Sequence, residues 1–292
     1  MPKISVILVN YKQPEFTQRC EQSIRNATYQ DLEIITIDNS NNNIGLAAAQ
    51  NLGAKLARGE YLFFLNNDTL VKEDIFECLL GYYQSHKVEV IGCRMFNYNG
   101  TKELDSALSV DRFGYPAGQT GKMFYPDGAI FIKKSIFDEI GGFDEKLFLY
   151  GEDRDLCWRV WLAGYRVEFC PLAMFYHNSS CVADTNYFRR RIAERNIIRS
   201  MLKNYQWQTL IKRLPQYLFW TILELGLILL INPKAIWKSY LPAYWWNIVN
   251  LKDTIKARKK VIRRVADKDI PFSKAIGKLF VLQNMGVPKW KN

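Results

Sequence analysis

The chain reads as an α/β fold, a mostly parallel central sheet flanked by helices, followed by a basic helical region. Three observations carry that reading. Short apolar runs alternate with helix-patterned segments through the first hundred residues. Polar, ligand-type residues follow those runs. Charge also divides the chain: residues 1–186 carry a net −6 and residues 187–292 a net +17 of the overall +11.

The elements follow in order. Ile4–Asn10 is a continuous apolar run, the pattern of a buried parallel strand. Pro14–Ala27 is predicted helical, with Pro14 in its first turn. Leu32–Ile37 is a second strand. Gly45–Arg58 is an Ala-rich helix ended by Gly59. Tyr61–Leu65 is a third strand, Lys72–Ser85 a helix and Val88–Met95 a fourth strand. This spacing predicts βαβ units and a sheet covered on both faces. Residues 98–122 lack a clear period and read as a long loop, a type that tends to be functional. Phe124–Lys133 is a strand broken at Pro126-Asp127-Gly128, and Ser135–Ile140 a short helix stopped by Gly141-Gly142. Asp153–Ala163 is a helix and Arg166–Phe169 a last strand, with His177 beyond it.

Composition shifts near Asn186, which predicts two regions, 1–186 and 187–292. In the second, Tyr187–Tyr205, Tyr217–Ile231 and Ala243–Ala266 read as helices. With 48% apolar and 24% charged residues, the chain is neither disordered nor fibrous. The six cysteines form no C-x-x-C pair, and Met1-Pro2-Lys3 runs straight into a strand, so a reducing cytosol is expected.

Sheets of this kind bind ligands beyond the carboxyl ends of their strands. Asn10, Tyr11 and Lys12 follow the first strand, Asp38, Asn39 and Ser40 the second, and Asn66, Asn67 and Asp68 the third. No G-x-G-x-x-G follows the first strand and no P-loop motif occurs, which argues against the usual NAD and P-loop chemistries. A nucleotide held without a glycine cradle needs a cation on a carboxylate. Asp68 is positioned to ligate one, and Asp38 to accept from a base N–H or ribose hydroxyl. Gly151-Glu152-Asp153-Arg154-Asp155 sets carboxylates at a helix start. They either complement the helix dipole or, beside Phe148 and Tyr150, supply a general base toward a hydroxyl. A lone His such as His177 is a core residue, a surface residue or a ligand.

Read as an ordered series, these pieces resemble the family 2 glycosyltransferases of GT-A fold, in particular the rhamnosyltransferase branch. The matching residues are Val9-Asn10-Tyr11, Ile37-Asp38-Asn39-Ser40, Asn43-Ile44-Gly45 with Ala48 and Asn51, and Leu65-Asn66-Asn67-Asp68. Asp127-Gly128-Ala129, Gly141-Gly142-Phe143-Asp144-Glu145, Gly151 to Arg159 and His177 complete them. The resemblance implies a nucleotide-diphospho-sugar transferase that inverts the anomeric centre. Asp153 would be the catalytic base, with Glu152 beside it. Asp68, His177 and Asn66 would hold Mg2+ or Mn2+ on the diphosphate. Asn10, Tyr11, Asp38, Asn39, Asn67, Asp127, Gly128 and Arg159 would contact the donor, and Asp38 its nucleobase. Asn66 stands where the metal motif begins with Asp, which lowers the expected cation affinity. dTDP-L-rhamnose is the first expected donor, with UDP-galactofuranose or a UDP-hexose as alternatives. The rivals are a nucleotidyltransferase and an inactive membrane-binding module on the same fold.

The basic region interleaves Arg189, Arg190, Arg191, Arg195, Arg199 and Lys203, and later Lys256–Arg264, with Trp207, Tyr217, Trp220, Trp237, Tyr240, Tyr244, Trp245 and Trp246. That mixture suits a lipid headgroup interface better than nucleic acid. The partners expected are therefore a lipid-linked saccharide acceptor and an anionic membrane surface, with no nucleic acid. The expected location is the cytoplasmic face of the inner membrane, peripherally. Polysaccharide or O-antigen assembly is the expected setting, and a homo-oligomer stays open. Tyr217–Ile231, bounded by Pro215 and Pro233, would reach roughly 22 Å as a helix, short of a bilayer core of roughly 30 Å. A buried or interfacial helix is expected there, rather than a span.

Overall fold

A computed structural model describes residues 2–118, 124–178, 187–274 and 277. Cys181, the composition boundary near Asn186 and the tail beyond 277 lie outside them. The chain divides into two compact units. The first comprises Met1–Leu108 and Phe124–Cys181, the second Ser109–Met123 and Val182–Asn292. Residues 109–123 thus group with the basic half, although composition alone places them in the first region.

The strands are β1 (Ile4–Asn10), β2 (Leu32–Asp38), β3 (Tyr61–Leu65), β4 (Thr69–Val71), β5 (Val90–Asn97), β6 (Glu103–Leu104), β7 (Ala107–Ser109), β8 (Phe124–Pro126), β9 (Ala129–Lys133) and β10 (Val167–His177). The main sheet runs β2-β1-β3-β9-β5-β10-β4, with β6 added to β5, while β7 and β8 pair apart. The helices of this unit are α1 (Pro14–Arg25), α2 (Leu46–Leu56), α3 (Ile75–His86), α4 (Lys134–Glu139) and α5 (Glu152–Leu162).

The sheet is more mixed than strand–helix alternation predicts. β1 pairs parallel with β2 and β3, and β5 with β10. β9, however, lies antiparallel between β3 and β5. Ala129 pairs with Leu65, so the Asp127-Gly128 turn arrives beside the end of β3. Two further differences bear on function. β4, three residues long, is too short to leave a period in the sequence. β10 continues through a register shift between Cys170 and Met174, and so ends on His177 instead of at Phe169. The residues expected to form the 98–122 loop include β6 and β7.

Burial explains the alternation. On one face Cys20 and Ile24 of α1, and Ile75, Phe76 and Leu79 of α3, pack on Ile4, Val6, Leu8, Phe63 and Phe131. On the other, Phe64 meets Phe137 and Phe143 at ring separations of 4.9 Å. α2 approaches β1 so closely that a Cβ on Gly53 would fall 2.5 Å from Ile7 Cγ2.

The second unit is helical: α6 (Tyr187–Asn204), α7 (Trp207–Ile231), then shorter helices at Leu241–Val249 and Leu251–Arg258. Its core is polar as much as apolar. Glu194 accepts hydrogen bonds from Tyr115 Oη at 2.7 Å and Tyr217 Oη at 2.8 Å. Glu224 accepts from Tyr240 Oη at 2.6 Å. Arg199, 1% exposed, donates to Thr254 Oγ1 at 2.9 Å and pairs with Asp253 at 2.9 Å. Arg195 sits over the Trp246 ring at 4.4 Å.

These contacts correct the picture of a basic surface along Tyr187–Tyr205. Arg195, Arg199 and Lys203 are buried, as are Tyr217 and Tyr240. A helix packed on several sides turns some of its charges inward, where carboxylates and aromatic faces must partner them.

α7 brings the second correction. It runs 25 residues, with Pro215 inside it rather than before it. At 1.5 Å per residue it reaches roughly 37 Å, so the length argument against crossing a bilayer falls. Its most apolar stretch has a mean hydropathy of 1.7 and is 22% buried. By length and composition it can cross a membrane.

Two glycines give a test of the packing. Gly53→Val forces a branched side chain onto Ile7 and is expected to cost about 2 kcal/mol. Gly81, exposed within α3 with nothing near its missing Cβ, is expected to gain up to about 1 kcal/mol as Gly81→Ala. Thermal denaturation of both variants decides the matter. Equal effects would contradict the close approach of α2 to β1.

Candidate active site

The site grows from the strand ends of the first unit. In the β1–β2 ladder Asn10 stands opposite Asp38. Asn10 Nδ2 donates to Asp38 Oδ1 at 3.1 Å, while its Oδ1 accepts from Gln13 N at 3.1 Å and Thr17 Oγ1 at 3.2 Å. Asn10 therefore ties two strand ends to the start of α1. Hydrogen bonds from Ser40, aided by Asn10, hold the exposed Asp38 carboxyl below its ordinary range. A permanently ionised acceptor at a strand end suits a ribose hydroxyl or a base N–H. Tyr11 is exposed beside it, with Lys12 Nζ 5.5 Å from its ring.

Asn39 has a different job. It is buried, donating to Asn43 Oδ1 at 3.1 Å and accepting from Ile44 N at 2.9 Å. It shapes the loop into α2 instead of facing a ligand. That loop ends on Gly45 at φ +91°, where a Cβ would meet the Phe148 ring at 2.5 Å. Phe148 O accepts from Leu46 N at 2.6 Å. The clamp holds a strained run: Phe148 and Tyr150 have φ of 65° and 66°, and Gly151 has 93°. Non-glycine residues rarely adopt such angles, which cluster where function demands them. The run leads directly into Glu152 and Asp153 at the start of α5.

At the end of β3, Asn66 N donates to Gly128 O at 2.9 Å. Asn67 donates to Thr17 Oγ1 at 2.9 Å, a supporting contact. Asp68 Oδ1 lies 3.4 Å from His177 Nε2, and Asn66 Nδ2 lies 3.4 Å from the same nitrogen. β4 creates this meeting, because Thr69 pairs with His177 and sets the preceding Asp68 against the ring. Burial pushes the Asp68 carboxyl up, against the pull of His177, and the charge of Asp127 pushes it further.

Glu152 and Asp153 share that field. Burial raises both well above the ordinary carboxylate range, with Asp153 acting on Glu152 and Asp127 acting on Asp153. Glu152 is 8% exposed, and among the described residues its Oε2 has no hydrogen-bond partner. Asp153 keeps part of its surface open and accepts from Arg154 N at 2.7 Å. A carboxyl raised toward neutrality is a competent proton acceptor for a hydroxyl.

Most of the expected residues converge here. Arg159 does not. It is buried in an ion pair with Asp155 at 2.9 Å and donates to Ile140 O at 2.8 Å, which makes it a brace under α5. Sequence reasoning set Ser40 at a strand end without giving it a role, and overlooked Thr17 and the Gly45–Phe148 clamp.

Among the described residues no three His, Cys, Asp or Glu side chains gather around one point. Asp68 and His177 offer two donor atoms 3.4 Å apart, with the Asn66 amide adjacent. Two donors at that separation can serve one ion, whose ligand bonds are about 2.1 Å long. Carboxylate and amide oxygens suit Mn2+ or Mg2+, and the imidazole suits Mn2+ better than Mg2+. Asn66 turns its Nδ2 toward His177 here and would have to offer Oδ1 to an ion, the remaining positions being left to substrate oxygens.

Glu152 has a stability consequence. Its folded value is raised, so its contribution is fully present below about pH 4.3, the unfolded value, and is lost as pH rises through the folded value. Glu152→Gln removes that loss. Its denaturation midpoint is expected to exceed the wild-type midpoint at pH 9 and to match it at pH 4. A constant difference across pH would show that Glu152 carries no raised acidity.

The model of Glycosyl transferase family 2 matches residues 37–143, and that of the N-terminal domain of galactosyltransferase matches residues 109–178. The pre-mycofactocin glycosyltransferase of Mycobacterium tuberculosis is 30% identical over 156 residues, 51% of this chain and 32% of that protein. This chain thus spans about a third of that relative. The low-salt glycan biosynthesis hexosyltransferase Agl10 of Haloferax volcanii is 24% identical over 71% of this chain and 80% of its own. Among solved structures, GalNAc-T7 with UDP, GalNAc and Mn2+ has a TM-score of 0.55 at 16% identity, over 72% of this chain and 49% of that one. This last likeness concerns the fold alone.

Proposed function

We propose that the chain acts as a family 2 glycosyltransferase of GT-A fold, its first unit moving a sugar from a nucleotide-diphosphate donor to an acceptor hydroxyl with inversion. The observation that carries this is Asp153, raised toward neutrality by burial and by the charge of Asp127, which also acts on Asp68. A hydroxyl is a poor nucleophile at neutral pH. As its oxygen bonds to the anomeric carbon, the bond from that carbon to the diphosphate oxygen breaks and the nucleoside diphosphate leaves. The hydroxyl proton goes to the Asp153 carboxylate. Glu152, buried beside it, keeps the local charge low by holding its own proton. Asp38, with Asn10 and Tyr11, receives the nucleoside, and Asp127-Gly128 borders the sugar. A divalent cation on Asp68, His177 and Asn66 would neutralise the charge that develops on the diphosphate.

For the donor we infer dTDP-L-rhamnose first, on motif resemblance. A UDP-hexose is the second reading, favoured by the galactosyltransferase match and by the UDP and GalNAc named for GalNAc-T7. The acceptor we infer is a lipid-linked saccharide in surface glycan assembly, met at the cytoplasmic face of the inner membrane. The exposed apolar face of α7 and the neighbouring basic residues support that location. Ile222 is 68% exposed, Leu230 83% and Trp237 73%.

A panel of sugar nucleotides, each with and without Mn2+, tests the first part by thermal shift. The true donor at 100 times its Kd is expected to add about 2.7 kcal/mol of stability, and more with the metal. Asp153→Asn is expected to lower turnover by at least about a hundredfold while leaving that shift intact. Near-full turnover by the variant would remove Asp153 from its role. No shift with any donor would favour the inactive membrane module.

A further inference from the structure

The second unit contains a cavity of about 450 Å3 lined by Arg112, Phe113, Pro215, Gln216, Phe219 and Trp220. We propose that it binds the phosphate-bearing head of a membrane lipid while α7 lies in the plane of the leaflet. This deepens the membrane reading above and rests on it.

The orientation of α7 comes first. Leu210, Tyr217, Thr221, Glu224 and Ile228 form a buried stripe at helical spacing. Glu224, at its centre, is 4% exposed and bonded to Tyr240 Oη at 2.6 Å. A helix crossing a bilayer alone would carry that carboxylate through hydrocarbon. Here the stripe packs on the unit's own residues, and only the opposite face is free to meet lipid. That face is apolar: Ile211, Leu218, Phe219, Ile222, Leu223, Leu227 and Leu230 are exposed. Trp237, Leu241, Trp245 and Ile248 add a second exposed row.

Charge selects the occupant. From Trp207 to Lys252 the chain holds a single acidic residue, the buried Glu224. Lys212, Lys234, Lys238 and Lys252 are exposed in the same stretch. An apolar face with exposed lysines and no exposed carboxylate complements anionic lipid. A second copy of this chain would bring lysines against lysines.

The cavity opens on this face, since Pro215 and Phe219 belong to both. Its polar groups are those a phosphate needs. Arg112 supplies a guanidinium, and among the described residues no side chain hydrogen-bonds or ion-pairs with it. Its backbone is fixed, because Tyr205 Oη donates to Arg112 O. Gln216 is held by Arg213 Nη1 at 3.0 Å. Pro215 lacks an N–H, so the carbonyl of Ile211 loses its helical partner and needs a donor from water or a headgroup. That requirement sets this end of α7 at headgroup depth. Phe219 and Trp220 then offer apolar walls to the first methylenes below the phosphate.

The test is vesicle cosedimentation of the full chain. The vesicles are phosphatidylcholine alone, phosphatidylcholine with phosphatidylglycerol, and phosphatidylcholine made equally anionic with a fatty acid. Wild type is expected to prefer phosphatidylglycerol. Arg112→Gln is expected to lose about tenfold in binding to those vesicles and little on the fatty-acid vesicles. Phe219→Asp is expected to bind none, with circular dichroism showing the fold retained. Equal binding by Arg112→Gln and wild type on phosphatidylglycerol would overturn the cavity while sparing the membrane reading. Displacement by millimolar inorganic phosphate would mark a site for free phosphate and overturn the lipid assignment. Absence of wild-type binding to any vesicle, with elution as a dimer, would overturn both.

Discussion

Crowded, largely buried negative charge beyond the strand ends is the constraint around which the first unit is organised. Asp127 acts on Asp68, Glu152 and Asp153 alike, and burial penalises ionisation of those three directly. Like charges in such a place cannot all ionise unless a counter-charge arrives. Among the described residues His177 and Arg154 supply counter-charge, with help from the backbone, yet burial still holds these carboxyls above their ordinary range, which favours keeping protons on part of the cluster. A cluster of this kind is an incomplete electrostatic site. On the function proposed above, a cation travelling with a polyanionic substrate would complete it.

The sheet is what assembles that cluster. β9 returns antiparallel to β3 and delivers Asp127 and Gly128 beside Asn66. β4 folds back against β10 and delivers Asp68 to His177. The Gly45–Phe148 clamp then fixes the strained approach to α5, so Glu152 and Asp153 are presented by a turn that ordinary backbone geometry would not choose. The acidic groups thus come from three places in the first unit: the end of β3, the turn before β9 and the start of α5.

The second unit solves the opposite problem. Its interior holds charge, with Glu194, Glu224, Arg195 and Arg199 satisfied by tyrosines, threonine and aromatic faces. Its outer surface along α7 is apolar. An exposed apolar surface of this extent marks an interaction site, in keeping with the membrane contact proposed above. This inversion, more than the net +17 of residues 187–292, gives the region its character.

The sequence by itself determined the strand and helix positions of β1 to β3 and α1 to α3. Continuous apolar runs and helical periods survive without tertiary help when both faces of a strand are buried. It also determined which polar residues stand at strand ends, because a strand leaving the core must end in polar groups. Tertiary structure alone decided the rest. Long-range pairing set the direction of β9, the existence of the three-residue β4 and the full length of β10, and so the meeting of Asp68 with His177. Packing decided that Arg159 braces α5, that Asn39 shapes a loop, and that Arg195 and Arg199 face inward. A local pattern states what a residue is, whereas its partners depend on chain segments a hundred residues away. Pro215 shows the same limit: read locally it ends a helix, yet α7 runs through it because packing on one side outweighs one missing hydrogen bond.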